Sequence, residues 1–153
     1  MGVRENRAVV TDYFRAVQEG DMDTIVRLLD DGVRFWVPPS LPDGIVFEGK
    51  DAVLRLFTES VGLYDLDVGL QIEMLSMTAE EDRVSAELTI TSKSALGAPY
   101  HNFYHFLFRV RDGRIVEIRE HLDSHYAFET LFVPREMTRR ADCPWLTEEE
   151  KRR

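Results

Sequence analysis

Residues Tyr100–Asp123 read YHNFYHFLFRVRDGRIVEIREHLD. Two runs of alternating side chains flank Asp112-Gly113, which marks a β-hairpin. Two loops fit it. A two-residue turn pairs Arg111 with Arg114 and sets His105 opposite Glu120. A three-residue loop, with Gly113 left-handed in a G1 bulge, pairs Val110 with Arg114 and sets Tyr104 opposite Glu120. A one-residue slip swaps the faces of a strand, so the side chains discriminate. With the longer loop, one face carries Asn102, Tyr104, Phe106, Phe108 and Val110 beside Val116, Ile118, Glu120 and Leu122. The other carries His101, Phe103, His105, Leu107 and Arg109 beside Ile115, Glu117, Arg119, His121 and Asp123. The first face is nearly all apolar and the second is mixed. The shorter turn leaves each face half apolar and half charged, so the longer loop is preferred.

Upstream of the hairpin, Leu66, Val68, Leu70, Ile72 and Met74 alternate with polar residues or glycine as a half-buried strand. Leu75 and Met77 break its phase, which predicts a bulge. Val84, Ala86, Leu88 and Ile90 form the next strand. Nearer the N-terminus the period is helical. Val9, Val10, Tyr13, Phe14, Ala16 and Val17 stripe a helix from about Arg4 to Glu19, ended by Gly20. Asp21 suits an N-cap for a short helix with Met22, Ile25, Val26 and Leu29 inside. Asp30-Asp31-Gly32 reads as a turn and Val33–Val37 as a strand, stopped by Pro38-Pro39. A loop with Pro42 and Gly44 precedes a third helix with Val53, Leu54, Phe57 and Val61 on one face. The order predicts an α+β fold, with three N-terminal helices packed on a strongly curved, mainly antiparallel sheet: a cone-shaped α+β barrel. Residues 1–132 form the domain around a central pocket. Residues 133–153 are a C-terminal tail, where Thr147 and Glu150 suit a capping box for a short helix or mark a frayed end.

The formal net charge of −9 repels phosphate backbones, so nucleic acid is not an expected partner. Cys143 is the one cysteine, which allows no internal disulfide and fits a cytoplasmic protein. No signal peptide and no apolar run of spanning length is read, so no membrane partner is expected.

On the preferred register Glu120 is a single carboxylate on an apolar, aromatic face. Burial disfavours its charge and raises its pKa toward the range useful for acid–base work. Tyr104 and Asn102 would orient it or polarise a substrate. Tyr13, Phe35, Phe57, Phe106, Ile118 and Leu122 complete the expected pocket. Against this stands a satisfied structural acid in a pocket without chemistry. If Glu120 lay opposite His105, a His105–Glu120 dyad would become the alternative catalytic pair.

The helix stripe, the Gly20-Asp21 break, the strand Val33–Val37 and the motif Arg119-Glu120-His121-Leu122-Asp123 together resemble the nuclear transport factor 2-like superfamily in its SnoaL-like branch, from about Arg4 to Leu131. That resemblance implies polyketide cyclase or ketosteroid isomerase-like chemistry without a cofactor. In ketosteroid isomerases an aspartate base works with an oxyanion hole of tyrosine and protonated aspartate. By resemblance the tyrosine matches Tyr13, the base falls at or next to Val37, and the protonated aspartate falls near His105 or Phe106. The hairpin is also similar to phenazine-biosynthesis proteins, whose acid–base glutamate matches Glu120 and whose pocket histidine falls near Leu56.

The four histidines show no metal-ligand spacing, so no metal is expected. His101 opposite Asp123, and His121 opposite Phe103, read as outer-face contacts. Trp36 points outward if Phe35 points in. Phe103, Leu107 and Ile115 on the outer face predict a homodimer through the sheet. Two functions follow. One is a small-molecule enzyme of secondary metabolism that performs cyclisation, isomerisation or dehydration on an apolar, oxygenated, polycyclic or polyketide-like substrate. The alternative is a non-catalytic ligand-binding or scaffolding protein of the same fold.

Overall fold

The structure is a computed structural model that describes residues 2–42 and 45–133. The Thr147–Glu150 pattern and Cys143 lie outside the described residues. Helix α1 (Val3–Glu19) buries Val10, Tyr13, Phe14 and Ala16. Gly20 ends it in the left-handed conformation (φ 68°), and the following Asp21 N–H closes back on Ala16 O at 2.8 Å. The Asp21 carboxylate then accepts from Thr24 N at 3.0 Å and starts α2 (Met22–Leu28). The chain runs directly into β1 (Leu29–Trp36), then β2 (Val46–Glu48) and α3 (Lys50–Val61). Four long strands follow: β3 (Gln71–Glu80), β4 (Arg83–Lys93), β5 (Pro99–Arg111) and β6 (Arg114–Leu122). A short α4 (Ser124–Ala127) and a π-helical turn, Phe128–Phe132, close the described chain.

The six strands form one curled, open sheet in the order β2-β1-β6-β5-β4-β3. Only the β1–β6 pairing is parallel. The helices lie against the inner face, where Tyr13 and Phe14 of α1 meet Phe106 and Phe108 edge-on, with ring centroids 5.2–5.4 Å apart. Val84, Ala86, Leu88 and Ile90 all point inward, as their alternation requires. So do Val33, Phe35 and Val37, while Trp36 lies across His121, ring centroids 4.9 Å apart.

The hairpin departs from the preferred loop. Arg111 pairs with Arg114 across a two-residue turn, with Asp112 at φ 49° and Gly113 at φ 74°, both left-handed as a type I′ turn demands. The faces are nevertheless those of the longer loop. Val110 pairs with Ile115 but Arg109 pairs with Glu117, so Val116 is an extra residue that shifts the phase by one. Glu120 is thereby returned to the inner face, opposite Phe106 rather than Tyr104. On the turn side of this bulge the expected faces exchange: Ile115 is fully buried and Val116 is half-buried. His105 pairs with His121, which replaces the expected His121–Phe103 opposition. Asp123 lies past the strand and caps α4, accepting from Tyr126 N, instead of facing His101.

The expected bulge in β3 is at Leu75, between Met74 and Ser76. The strand itself starts later than its alternation suggests. The Asp65 carboxylate accepts from Asp67 N, and its carbonyl accepts from Val68 and Gly69, so that stretch turns and leaves Leu66 and Val68 exposed. Asp30–Gly32, read as a turn, is an irregular part of β1, where the pairing with β6 slips between Leu29 and Arg34.

Gly20 has open space where a Cβ would go, so Gly20→Ala meets only the backbone penalty of positive φ. It should cost about 1 kcal/mol, or about 2–4 °C in melting temperature. An unchanged melting curve would contradict this helix end.

Candidate active site

The inner face ends in a mostly apolar cavity of about 140 Å³. β1 and the residues after it supply Phe35, Val37 and Leu41. α3 supplies Leu56, Phe57 and Ser60, and the following loop Leu63 and Tyr64. Tyr104 of β5 stands on one wall with Glu120 and Leu122 of β6. Ala127, Leu131 and Phe132 of the C-terminal turns add to the lining. Glu120 is the one charged group among the described lining residues.

The cavity holds five of the residues expected from the sequence: Glu120, Tyr104, Phe35, Phe57 and Leu122. Tyr13, Phe106 and Ile118 are instead buried beside it as packing. Asn102 is buried too and does not line it. His105 is on the other face of the sheet, where its Nε2 contacts Ser85 Oγ at 2.5 Å, so no His105–Glu120 dyad forms. The positions where the resemblance puts a base aspartate and a pocket histidine, Val37 and Leu56, do line the cavity and are apolar.

Glu120 stands among mostly apolar side chains and is partly accessible. Desolvation pushes its carboxyl up to about 7. Among the described residues no backbone group caps it. At neutral pH the acid and its anion are therefore both populated, which suits a group that both takes and returns a proton. The phenols around it behave differently. Burial pushes Tyr100 up to about 12 and Tyr13, Tyr64 and Tyr104 well above the usual range, and the charge of Glu120 raises each further. They keep their protons near neutrality and act as hydrogen-bond donors, not bases.

Sequence reasoning missed Tyr64 and Tyr100. Tyr64 comes from the loop after α3, where it makes an isolated β-bridge to Ser94, and no periodicity marks it. Tyr100 could have been found, since it shares the inner face with Asn102 and Tyr104 by simple alternation.

The fold and this cavity define an α+β cone with a small-ligand pocket. Residues 10–118 match the SnoaL-like domain model, and the chain belongs to that family. No curated protein sequence matches it significantly. Among solved structures it is similar to Bal32a from a soil-derived mobile gene cassette, at 21% identity and TM-score 0.75, covering 84% of this chain and 98% of that one. It is also similar to an NTF2-like protein of unknown function from Burkholderia pseudomallei, at 18% identity and TM-score 0.76, covering 87% and 100%. A third is a protein from Jannaschia sp. CCS1 named a SnoaL-like polyketide cyclase, at 18% identity and TM-score 0.72, covering 86% and 94%. No helix among the described residues is long and apolar enough to cross a membrane.

A carboxyl raised by the fold binds its proton more tightly folded than unfolded. Its ionisation therefore opposes folding: stability falls as pH rises from about 4.5 to about 7 and is level above that. Glu120→Gln removes this cost. The variant should be more stable than the parent by about 2 kcal/mol at pH 8, the full shift being discounted for water in the cavity, and no more stable at pH 4. Urea titrations at the two pH values read the difference, and equal gains at both would contradict desolvation as the cause.

Proposed function

We propose that this protein is a small-molecule enzyme of secondary metabolism in which Glu120 moves a proton on an apolar, oxygenated substrate, in a cyclisation, isomerisation or dehydration. The observation that carries this reading is a lone carboxyl without a backbone cap on the wall of a mostly apolar cavity, where desolvation raises its pKa. Each of these reactions begins by removing a proton from carbon next to an oxygenated group. The Glu120 anion takes that proton, and Glu120 acid returns it at another carbon in an isomerisation, to the departing oxygen in a dehydration, or to the oxygen of the attacked carbonyl as the new carbon–carbon bond closes the ring. Tyr104 on the same wall donates to the substrate oxygen as charge gathers there. The chemistry needs no cofactor. A cytoplasmic location fits the single cysteine.

The cavity narrows the substrate. At about 140 Å³ it suits a molecule near one ring in size. The alternative, a binding protein without chemistry, calls for a glutamate satisfied by backbone. The uncapped carboxyl favours the enzyme.

Deuterium exchange into cyclohexanone, followed by proton NMR, tests proton abstraction without knowledge of the natural substrate. Glu120→Gln should fold and lose at least about a hundredfold of the catalysed exchange. The parent rate should rise through a midpoint near pH 7 as Glu120 ionises. Full exchange in the variant would rule out the acid–base role and leave the binding protein.

We also propose a homodimer through the outer sheet face, where Phe103 is 60% exposed and Leu107 half-buried on the same strand. The buried position of Ile115 removes it from that surface. Light scattering at about micromolar concentration should report a dimer, and Phe103→Asp a monomer; a monomeric parent would contradict it.

A further inference from the structure

Behind the cavity wall, three buried polar side chains of β5 form a chain with a fixed direction. Asn102 is 1% exposed and its amide is fully assigned by its neighbours. Its Oδ1 accepts from Phe103 N at 2.8 Å, and its Nδ2 donates to the Asp123 carbonyl at 3.0 Å. The same Nδ2 donates to Tyr100 Oη at 2.9 Å. Tyr100 Oη has a second partner, Tyr104 Oη, at 2.6 Å. A phenol in the plane of its ring offers one hydrogen and one lone pair. Asn102 takes the lone pair, so the hydrogen of Tyr100 points at Tyr104. Tyr104 thus accepts on its inner side, and its own hydrogen is left for the cavity side. Tyr64 lines the same cavity within side-chain reach of Tyr104 and Tyr100, and Glu120 lines it too, so a ligand oxygen takes the Tyr104 hydrogen in place of Tyr64.

We propose that Asn102 and Tyr100 are positioning residues, a hydrogen-bond relay that fixes the Tyr104 hydroxyl as a donor into the cavity and so selects ligands whose oxygen accepts. The proposal deepens the enzyme reading, since a donor fixed beside Glu120 is where a substrate oxygen would rest. Stacking holds the relay in place: Tyr104 lies parallel to Phe106 with centroids 5.8 Å apart, and Tyr100 lies parallel to Tyr126 at 5.4 Å. Asn102 also ties the relay to the end of β6, through the carbonyl of the residue that caps α4. A purely structural asparagine would serve the Asp123 carbonyl without ordering two phenols. Here the one amide does both.

The test compares two probes of similar size, acetophenone and cumene, the first with a carbonyl oxygen and the second without. Binding of each to the full chain is measured by NMR titration at pH 6, where Glu120 mostly carries its proton. The parent should favour acetophenone by about fivefold, the worth of one net hydrogen bond. Asn102→Asp keeps the acceptor for Phe103 N but takes the hydrogen of Tyr100, which reverses the relay and turns Tyr104 away from the cavity. In that variant the preference should fall to about one, with cumene binding unchanged. If Asn102→Asp does not fold, Tyr100→Phe replaces it, and the preference should fall at least twofold. A merely structural role would weaken both probes alike and leave their ratio. A parent without preference, or variants that keep the parent ratio, would overturn the relay. A lost ratio together with full exchange activity in Glu120→Gln would keep the relay and sink the acid–base reading. The reverse pair of results would do the opposite.

Discussion

Val116 decides which side of β6 meets the cavity. The type I′ turn at Asp112-Gly113 sets a register that, continued unbroken, would point Glu120 outward with His105 and send Arg119 and His121 into the aromatic core. One extra residue in β6 cancels that slip. Beyond it, Ile118, Glu120 and Leu122 face inward, and Glu117, Arg119 and His121 face out. A bulge also adds twist, and a second one at Leu75 curls the far side of the sheet. The device that aims the carboxyl thus belongs to the set that shapes the cone around it.

The site is held by opposed forces. Packing of Phe35, Phe57 and Leu122 around the cavity favours the fold, and the same hydrocarbon makes an ionised Glu120 unfavourable. A salt bridge would relieve that cost and would also pull the carboxyl back below the useful range. The wall offers phenols instead. Their hydrogens can meet a developing negative charge without supplying a full positive one, so the proton affinity of Glu120 stays high while the site remains polar enough for an oxygen. This is why Val37 and Leu56 matter: with no second titratable group at those positions, the proposed chemistry rests on one carboxyl.

Much of this was legible in the residues. Period fixed the type of nearly every element, because alternation in β4 and helical spacing in α1 reflect burial on one side. The phase break at Leu75 announced its bulge, since two large side chains fell out of step. The second bulge stayed hidden for a physical reason. Ile115 and Val116 are adjacent, both branched and both apolar, so either fills an inward slot equally well and the pattern cannot say which does. The preferred loop therefore gave correct faces for Glu120 with an incorrect turn, and the cross-strand partner came out as Tyr104 instead of Phe106. The turn at Asp65–Gly69 was hidden likewise, because Leu66 and Val68 keep a strand-like alternation while local hydrogen bonds to Asp65 satisfy the backbone.

The protonation of Glu120 is the centre of the account, and it can be read without any substrate. Carbon-13 NMR of protein labelled at the glutamate side-chain carboxyls, with the Glu120 signal assigned by its loss in Glu120→Gln, follows that one group through pH. A midpoint near 7 is the expected result. A midpoint between about 4 and 5, where exposed glutamates titrate, would contradict it.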